Sequence, residues 1–352
     1  MGDISLNGVY RQRSFTDVIP WSNVPSFWQD CDLRIGNLES PITLAPRFAD
    51  SKFALRANDN ALPILSKSNF DLLGLSNNHA MDFGWSGLND TINVLDSIGV
   101  PHVGAGANIV SASSPKIIEV NDSTVAVVAF CDVEQTSPLY ATDDQPGVTP
   151  LDESSLELVH SLEAKADWVI VQLHWGTEMS QMPTPSQREL ARKFVSAGAS
   201  VIVGHHPHVL QPMEIIDDVP VYYSLGNFAF SNEFWRGQNA SGESFVDEYT
   251  IHPLAQQSGV ASLQLSKSSP PVCHFTPTEF RTDGMISEQP ELLSAWDALC
   301  SAMDAEHLPH YEAKWKEEDA LAVARRAFQY ESRSLQKRLR LKAFQFGLIR
   351  QA

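Results

Sequence analysis

Residues 168–174 are Trp168-Val169-Ile170-Val171-Gln172-Leu173-His174, and residues 200–206 are Ser200-Val201-Ile202-Val203-Gly204-His205-His206. Both runs have the apolar, β-branched composition of a buried strand, and both end on histidine. Between them, Thr184 or Ser186 can cap a helix that continues to Gly198. A strand, a helix and a second strand in this order predict two parallel strands, whose histidine-bearing ends lie at the same edge of one sheet.

The rest of the N-terminal part continues this alternation of strands and helices. Further strands are predicted at residues 32–36, 70–75, 125–130 and 219–223, and a helix is predicted at residues 87–99. Residues 257–281 alternate weakly and predict edge strands, whereas residues 289–350 have a mostly helical pattern. We therefore expect an α/β fold, a two-sheet sandwich flanked by helices, with a main domain at residues 1–285 and a helical extension at residues 286–352.

Six short segments place metal-binding residue types next to predicted strands. They are Gly2-Asp3, Asn37-Leu38-Glu39, Asn77-Asn78-His79, His174-Trp175-Gly176, Gly204-His205-His206-Pro207-His208 and Tyr223-Ser224-Leu225-Gly226-Asn227. Carboxylate, amide and imidazole donors hold Mn, Fe, Zn or Mg, and loops at the carboxyl ends of parallel strands bring distant residues together. A structural, hydrogen-bonded imidazole would explain any single histidine, but the set as a whole favours one two-metal site.

The ligands can be divided between two metals. Glu39 suits the bridging position, because its carboxylate has two oxygens to share between cations that lie ~3.5–4 Å apart. The remaining ligands are expected to be Asp3 and His208 at one metal, and Asn78, His174 and His206 at the other. Because Pro207 restricts the backbone, a strand-like conformation would direct both of its histidine neighbours to the same side.

Three further side chains are predicted to serve as catalytic or ligand-orienting residues. His79 is expected to act as an acid or base, or as a hydrogen-bond donor to the substrate. His205 and Glu178 are expected to orient the ligands. The other candidates are assigned structural roles: Asn37, Asn227, Asp82 and Gly84 in turns, and His102, His160, His252, His274, His307 and His310 elsewhere in the fold.

Composition restricts the class of protein. The chain has 352 residues, 43% of them hydrophobic, and its net charge of −18 argues against nucleic acid as a partner. The four cysteines form no C-x-x-C pair, which favours free thiols in a reducing compartment over disulfides. No membrane span or signal peptide is visible, so a cytoplasmic location is expected. Gly2-Asp3 has the pattern of a turn after a strand, and we expect that first strand to be missing.

The C-terminus has the opposite charge. From Arg325 onward the chain carries eight basic residues and one acid, Glu331. The apolar residues among these cations allow a membrane-surface helix or a partner-binding helix. A helix packed against the acidic body of the same chain is the simpler interpretation.

The six segments, in this order, resemble the CapA-type poly-γ-glutamate capsule-biosynthesis proteins over roughly residues 1–230. The block His205-His206-Pro207-His208 is the most specific part of the match. That family looks like a branch of the calcineurin-like metallophosphatase superfamily. The resemblance implies a four-layer α/β/β/α sandwich with a dinuclear centre, His79 as the catalytic imidazole, and as ligands Asp3, Glu39, Asn78, His174, His206 and His208.

The chain departs from the usual metallophosphatase pattern at two positions. A histidine normally stands two residues after the first aspartate, where this chain has Ser5, and most phosphatases have aspartate where this chain has Glu39. Both differences weigh against ordinary phosphoesterase activity. Many capsule proteins of this type also carry an N-terminal membrane anchor, which this sequence does not show.

The leading hypothesis is a metal-dependent enzyme that acts on a γ-glutamyl polymer, a related peptide or a glycan, by hydrolysis or transfer. Its expected cofactors are two divalent ions, with Mn, Fe or Zn preferred. One alternative is a peptide epimerase that uses the same site. A second alternative is a non-catalytic subunit of a polymer synthase or export complex, in which the metal is structural and the basic tail docks to a membrane or a protein partner.

Overall fold

The computed structural model describes residues 1–17, 19–22, 27–46, 54–132, 139–238, 244–303, 308–330 and 350–351. The strands are β1 (Asp3–Ile4), β2 (Ile35–Leu38), β3 (Leu72–Gly74), β4 (His102–Val103), β5 (Ala105–Gly106), β6 (Lys116–Val120), β7 (Ser123–Cys131), β8 (Gly147–Val148), β9 (Trp168–His174), β10 (Val201–His205), β11 (Met213–Ile216), β12 (Val219–Tyr222), β13 (Asn227–Ala229), β14 (Glu233–Gln238), β15 (Ser244–Tyr249), β16 (Gln257–Ser266), β17 (Ser269–Phe280), β18 (Ile286–Glu288) and β19 (Arg350–Gln351). The helices are α1 (Val9–Gln12), α2 (Phe27–Asp30), α3 (Ala61–Lys67), α4 (Gly84–Ser97), α5 (Ile109–Ala112), α6 (Glu153–Glu163), α7 (Pro185–Ser196), α8 (Leu293–Ser301) and α9 (Leu308–Tyr330).

One sheet is entirely parallel and has the strand order β13-β1-β2-β3-β4. Its second strand in this order contains Asp3, which pairs with Asn227 on one side and with Asn37 on the other. Asp3 therefore lies within a strand near the middle of the sheet, not in a turn that follows a strand as the sequence pattern indicated. This position is fully buried, so the strand pairing on both sides holds the Asp3 carboxylate in the interior of the protein.

The other large sheet has the order β11-β12-β10-β9-β7-β6, in which the four inner strands are parallel and the two edge strands are antiparallel. The predicted strand-helix-strand unit is confirmed, because β9 and β10 are parallel and α7 connects them. Thr184 caps this helix by accepting the backbone N–H of Gln187 at 3.0 Å. In this register Cys131, His174 and His205 lie side by side at the carboxyl edge.

The two sheets pack face to face, and alternation along β7 shows how. Val125, Val127 and Ala129 point toward the first sheet, where they pack with Leu72 and Val103. The intervening residues of the same strand belong to the core that contains α6 and α7, and the helices α3 and α4 cover the outer face of the first sheet. Residues of alternating direction on one buried strand need two apolar layers. The four-layer α/β/β/α sandwich expected from the sequence is confirmed.

A contact between the sheets supplements this apolar packing. Gln172 on β9 reaches across and donates its Nε2 hydrogen to the Gly36 carbonyl on β2 at 3.2 Å. Gly74 on β3 leaves room for that side chain, because a Cβ atom there would lie 2.3 Å from Gln172 Oε1. This hydrogen bond links the two sheets near the carboxyl ends of β2 and β9, where the site residues lie.

Residues after the sandwich form an antiparallel sheet and two helices. The strands β16, β17 and β18 pair in sequence order, so residues 257–281 form a long hairpin where weak edge strands were expected. Strand pairing also continues through Ile286, the residue at which the sequence analysis began the helical extension. The helical pattern starts later, with α8 and α9.

The expectations about the cysteines and about membrane spans can be compared with the structure. All four cysteines are free thiols. Within the described ranges, no helix combines the length and the apolar character that a membrane crossing needs.

Candidate metal centre

The Asp3 carboxylate accepts hydrogen bonds from two other strands. His205 Nδ1 donates to Asp3 Oδ1 at 2.8 Å, and Asn37 Nδ2 donates to the same oxygen at 2.9 Å. The backbone N–H of His206 donates to the other oxygen, Oδ2, at 3.2 Å. His208 Nδ1 lies 3.7 Å from this second oxygen. The carboxylate therefore joins the first sheet to the His205-His206-Pro207-His208 segment of the second.

Glu39 lies at the centre of the cluster and is completely buried. Its Oε1 atom is 3.6 Å from His208 Nε2, 3.9 Å from His174 Nε2 and 4.0 Å from His79 Nε2. These imidazoles come from three separate parts of the chain, because His174 ends β9 while His79 and His208 lie in loops. All three distances exceed a normal hydrogen bond, and they place three imidazole nitrogens around one carboxylate oxygen, which are the donor types that bind divalent metal ions.

Asn78 and His174 form a second pair of donors. The Asn78 Oδ1 atom lies 2.8 Å from His174 Nε2. The ring of His206 is next to that of His174, with 4.9 Å between the ring centroids. The structure thus brings together all six residues predicted as ligands: Asp3, Glu39, Asn78, His174, His206 and His208.

The backbone that carries His206 and His208 is not strand-like. Their φ angles are +94° and +59°, a region that residues other than glycine seldom occupy. The expectation that an extended segment would project both side chains to one side is therefore wrong. The rings nevertheless reach the same centre, because two left-handed residues flank Pro207, and the Asp3 carboxylate holds the amide of the first. Conformations of this kind are retained where the surrounding structure enforces them, most often at functional sites.

His79, predicted as the acid or base, is held by a carboxylate. Its Nδ1 donates to Asp82 Oδ2 at 2.7 Å, and that oxygen also accepts the backbone N–H of Leu55 at 2.8 Å. From the sequence, Asp82 was expected only to shape the turn after His79. Its spacing of three residues from His79, inside a motif already singled out, was the available signal for this contact.

Two asparagines also have roles that the sequence analysis missed. Asn37 and Asn227 were expected to serve turns, but both lie in strands, on β2 and β13. Asn37 holds Asp3, as described above, and Asn227 Oδ1 accepts from His208 Nδ1 at 2.8 Å. Asn227 Nδ2 in turn donates to the Ala255 carbonyl at 3.0 Å. Both amides therefore orient residues of the cluster.

Glu178 and His205 lie beside the predicted ligands. His205 contacts Asp3 directly. Glu178, His206 and His208 offer three ligand atoms within 4.8 Å of one another, and Asp3, Glu39 and His208 form a second such group. His208 is common to both groups, so the two candidate positions for a cation are adjacent.

The electrostatics of the cluster separate its histidines. Burial lowers the pKa of His206 to about 4, and burial together with repulsion from the other imidazoles lowers the pKa of His174 well below its usual value. Burial also acts to lower the pKa of His208, but attraction to Glu39 and Asp3 outweighs it, so this pKa is raised. Burial alone would raise the pKa of Asp3, but the neighbouring His205 and His208 hold it below its ordinary value.

The donor set fits divalent metal ions. His174 Nδ1, His205 Nε2 and His206 Nδ1 are buried atoms with no hydrogen-bond partner among the described residues. A buried polar atom without a partner costs free energy, and a neutral imidazole nitrogen is a ligand for Mn, Fe and Zn. Deprotonated His174 and His206, an ionised Asp3 and the amide oxygen of Asn78 are therefore suited to coordination.

The remaining histidines lie away from this cluster where the structure describes them. His160 pairs with Glu163 on the surface, and His252 caps a short 3-10 helix by accepting the Leu254 N–H. His102 lies in β4 and His274 in β17. His307 lies outside the described residues, as does the side chain of His310. Most of the basic segment that begins at Arg325 is also outside them, at residues 331–349.

The comparisons with known proteins match the part of the chain that contains this cluster. The profile of the family described as bacterial capsule synthesis protein PGA_cap matches residues 1–232, which contain every residue of the cluster. The PGA biosynthesis protein CapA of Bacillus subtilis is 37% identical over 223 residues, covering 62% of this chain and 58% of that protein. The capsule biosynthesis protein CapA of Bacillus anthracis is 32% identical over 253 residues, covering 68% and 61%.

A more distant relative has a different description. The probable polyglutamine synthesis accessory protein Rv0574c of Mycobacterium tuberculosis is 28% identical over 246 residues, covering 66% of this chain and 64% of that protein. The chain thus matches about three fifths of the length of each of these relatives. On the extent of the profile match, this chain belongs to the bacterial capsule synthesis protein PGA_cap family.

Proposed function

We propose that this chain is a metal-dependent enzyme of capsule-polymer synthesis, which acts on a γ-glutamyl polymer or a related peptide by hydrolysis or transfer. One observation carries the proposal: imidazoles of His79, His174 and His208 lie within 4.0 Å of a single buried oxygen of Glu39. A fold that buries so many titratable groups around one carboxylate gains little stability from them without a cation. The family membership supplies the capsule context.

Two metal ions can be assigned to named donors. Asp3, Glu39 and His208 would hold the first. Asn78, His174 and His206 would hold the second, with Glu39 shared between them. Glu178 lies close enough to His206 and His208 to add a carboxylate to this side. When bound, such ions supply Lewis acidity at a carbonyl oxygen and lower the pKa of a water molecule, the chemistry that amide hydrolysis needs.

The proton transfer is assigned to His79. The hydrogen bond from its Nδ1 to Asp82 fixes the tautomer and the ring plane, so that Nε2 faces the centre, 4.0 Å from Glu39 Oε1. An imidazole oriented by a carboxylate can donate a proton to a departing amine, and the same carboxylate stabilises the imidazolium before that transfer. His79 is 6% exposed, so the site limits the access of bulk water to this proton.

A cavity near the carboxyl ends of β7 and β9 is a candidate place for part of a peptide substrate, although none of the predicted metal ligands lines it. It has a volume of about 430 Å³ and is lined by Asp132, Gly176, Thr177, Thr184, Ser186, Gln187 and Leu190. It reaches the strand edge at Asp132, whose backbone N–H donates to the His174 carbonyl at 3.1 Å. Gln187 Nε2 is a buried donor without a partner among the described residues, and Asp132 is an acceptor. An amide group, which offers one carbonyl and one N–H, would match both.

Metal content of the purified full chain tests the proposal first. We expect about two equivalents of Mn, Fe or Zn in the wild type, and a sharp reduction in both Glu39→Ala and His206→Ala. The matched control is His160→Ala, which removes an exposed imidazole remote from the cluster and should leave the metal content unchanged. A wild type that stays metal-free after incubation with all three ions would contradict the proposal.

Substrate class is tested with the metal-loaded protein. Release of new amino groups from a γ-glutamyl oligomer would support hydrolysis, and transfer would appear as release of one product with capture of the remainder by an added amine. Exchange of deuterium from D₂O into an intact peptide would instead indicate the epimerase alternative. Turnover of a simple phosphoester with no turnover of the oligomer would contradict the proposed substrate.

A second candidate function is that of a non-catalytic subunit of a polymer-synthesis complex. The description of the M. tuberculosis relative as an accessory protein favours it. His79→Asn distinguishes the two functions, because the enzyme would lose capsule-polymer processing while keeping its metal, whereas a binding subunit would keep both. Polymer formation in a reconstituted synthase, measured with each variant, gives the readout.

A further inference from the structure

The helix α9 contacts the segment that contains Glu178, although this helix lies outside the residues matched by the family profile. We call residues 178–183 the 178–183 loop. Four side chains of α9 hydrogen-bond to its backbone: Tyr311 Oη donates to the Pro183 carbonyl, Glu318 Oε1 accepts the Gln181 N–H at 2.9 Å, Arg325 Nη1 donates to the Met179 carbonyl at 3.0 Å, and Arg326 Nη1 donates to the Glu178 carbonyl at 2.7 Å.

These contacts follow the helical repeat. Tyr311, Glu318 and Arg325 are spaced by seven residues, about two turns, and therefore lie on one face of α9. As the helix advances along this face, its partners in the loop step backward from residue 183 to residue 179. The loop thus runs antiparallel to the helix over this whole distance, which a single chance contact would not produce.

An ion pair links two members of this face. Arg325 Nη1 contacts Glu318 Oε1, and the two side chains are only 15% and 13% exposed. Each of them also bonds to the loop backbone. The first two cations of the basic C-terminal segment, Arg325 and Arg326, are therefore engaged within this chain.

The opposite side of the loop contacts Pro207 and Gln211, in the segment that follows His206. The Met179 N–H donates to the Pro207 carbonyl at 2.8 Å, and Gln211 Nε2 donates to the Ser180 carbonyl at 2.8 Å. Met179 is fully buried and has a φ angle of +65°, a conformation that needs external support in a residue other than glycine. The loop is held between α9 and the segment that carries His206 and His208.

We propose that α9 positions the Glu178 carboxylate beside His206 and His208, and that this C-terminal helix thereby increases the affinity of the centre for metal. The backbone of Glu178 is fixed by Arg326 on one side, and its neighbour Met179 is fixed by Arg325 and by Pro207 on the other. Arg326 is a positioning residue, since it contacts the loop backbone and not the ligand atoms. The inference rests on the proposed function for the purpose of the centre, but the contact itself is independent of it.

Arg326→Ala in the full chain is the principal test, with Mn²⁺ as the probe. Support of this kind typically contributes about tenfold or more to metal affinity, so we expect Arg326→Ala to weaken Mn²⁺ binding about tenfold. Arg326→Lys, which keeps one N–H donor for the Glu178 carbonyl, should restore most of the affinity. Lys316→Ala is the matched control, because it removes an exposed cation from the same helix and should leave the affinity unchanged.

A double-variant comparison separates positioning from a general loss of stability. In a Glu178→Gln background the carboxylate is already absent while the backbone contact remains, so Arg326→Ala should have little additional effect on Mn²⁺ affinity. If Arg326→Ala weakens binding equally in both backgrounds, α9 does not act through Glu178 and the proposal is wrong.

Hydrogen exchange of the metal-free protein provides a readout that does not depend on metal. We expect exchange of the Met179 and Gln181 amides to become at least tenfold faster in Arg326→Ala and in Glu318→Ala, with unchanged exchange in β9 and β10. Unchanged exchange at these two amides would overturn the proposal. If the wild type binds no Mn²⁺ but the exchange result holds, the proposed function fails and the positioning of the loop by α9 stands.

Discussion

His79 Nδ1 lies 2.7 Å from Asp82 Oδ2, and both side chains are buried at the edge of the candidate metal centre. The same Asp82 oxygen accepts the Leu55 N–H at 2.8 Å, so the carboxylate is itself held in place. This hydrogen bond keeps the Nδ1 proton of His79 directed at Asp82, so Nε2 is the ring nitrogen that faces the centre. A histidine and its orienting carboxylate act as one unit in acid–base catalysis.

Asp82→Asn should therefore reduce catalysis without removing metal. General acid–base catalysis contributes about 10²–10⁴-fold to typical rates, and we expect a loss of about 100-fold or more in turnover of a γ-glutamyl oligomer. Metal content, measured on the same preparation, should equal that of the wild type. Asp96→Asn, at an exposed position of α4, is the matched control. Full turnover by Asp82→Asn would show that His79 needs no carboxylate partner.

The metal-free protein should lose stability in acid because of His206. Burial lowers the pKa of His206 to about 4 in the folded chain, below the ordinary value of ~6.5. The unfolded chain therefore binds this proton more readily, so the contribution to stability is complete above about pH 6.5 and is lost as the pH falls toward 4. His174 acts in the same direction, and His208, whose pKa is raised, acts in the opposite one.

Urea unfolding with a chelator present measures this effect. Between about pH 7 and pH 5 the wild type should lose about 2 kcal/mol more than His206→Gln, which has no imidazole to protonate. The measured quantity is the free energy of unfolding of each protein at the two pH values. Parallel pH dependences for the two proteins would show that His206 does not titrate differently on folding.

The sequence predicted most strands and helices and the location of the site. It did not predict most of the hydrogen bonds within the site. Apolar runs that end on His174 and His205 predicted parallel strands, and the register places these two residues side by side. The positive φ angles of His206 and His208 were not predictable, because the Asp3 carboxylate that holds the first amide is 203 residues away. Local pattern favoured an extended segment, and this tertiary contact outweighed it.

The asparagines and α9 illustrate the same limit. Asn37 and Asn227 have strong turn propensity, but neighbouring strands place them against Asp3 and His208, and burial favours those side-chain hydrogen bonds. The helical pattern of α9 was visible in the sequence. Its contact with Glu178 was not, since residue 326 lies 148 positions further along the chain.

Asn227→Ala should weaken metal binding while leaving the fold intact. Its Oδ1 accepts from His208 Nδ1, which leaves Nε2 as the ring nitrogen 3.6 Å from Glu39. Without this acceptor the ring can rotate and change tautomer, and the expected cost is about tenfold in Mn²⁺ affinity. Titration with Mn²⁺ measures it, and Asn108→Ala, at the cap of α5, serves as a control remote from the ligands. Equal affinities for wild type and Asn227→Ala would exclude an orienting role.

Gly204→Ala should prevent correct assembly of the carboxyl edge of the second sheet. A Cβ atom at this position would lie 1.9 Å from the Tyr223 carbonyl oxygen, which already accepts the Trp175 Nε1 hydrogen at 3.0 Å. Because the clash is with backbone, β10 and β12 would have to separate, and we expect a loss of about 3 kcal/mol or more. Gly99→Ala is the matched comparison, since its φ is +71° but the added methyl group meets open space.

The two glycine variants separate steric from conformational cost. Gly99→Ala should cost only about 1 kcal/mol, the usual penalty for a left-handed backbone at a residue with a side chain. The melting temperature and the yield of soluble protein give the readout, and Gly204→Ala should be much lower in both. If Gly204→Ala were as stable as Gly99→Ala, the spacing between β10 and β12 would not be fixed by the missing side chain. In that case the pairing of β10 with β9 and the hydrogen bond to Asp3 would be enough to position His205, the next residue on β10.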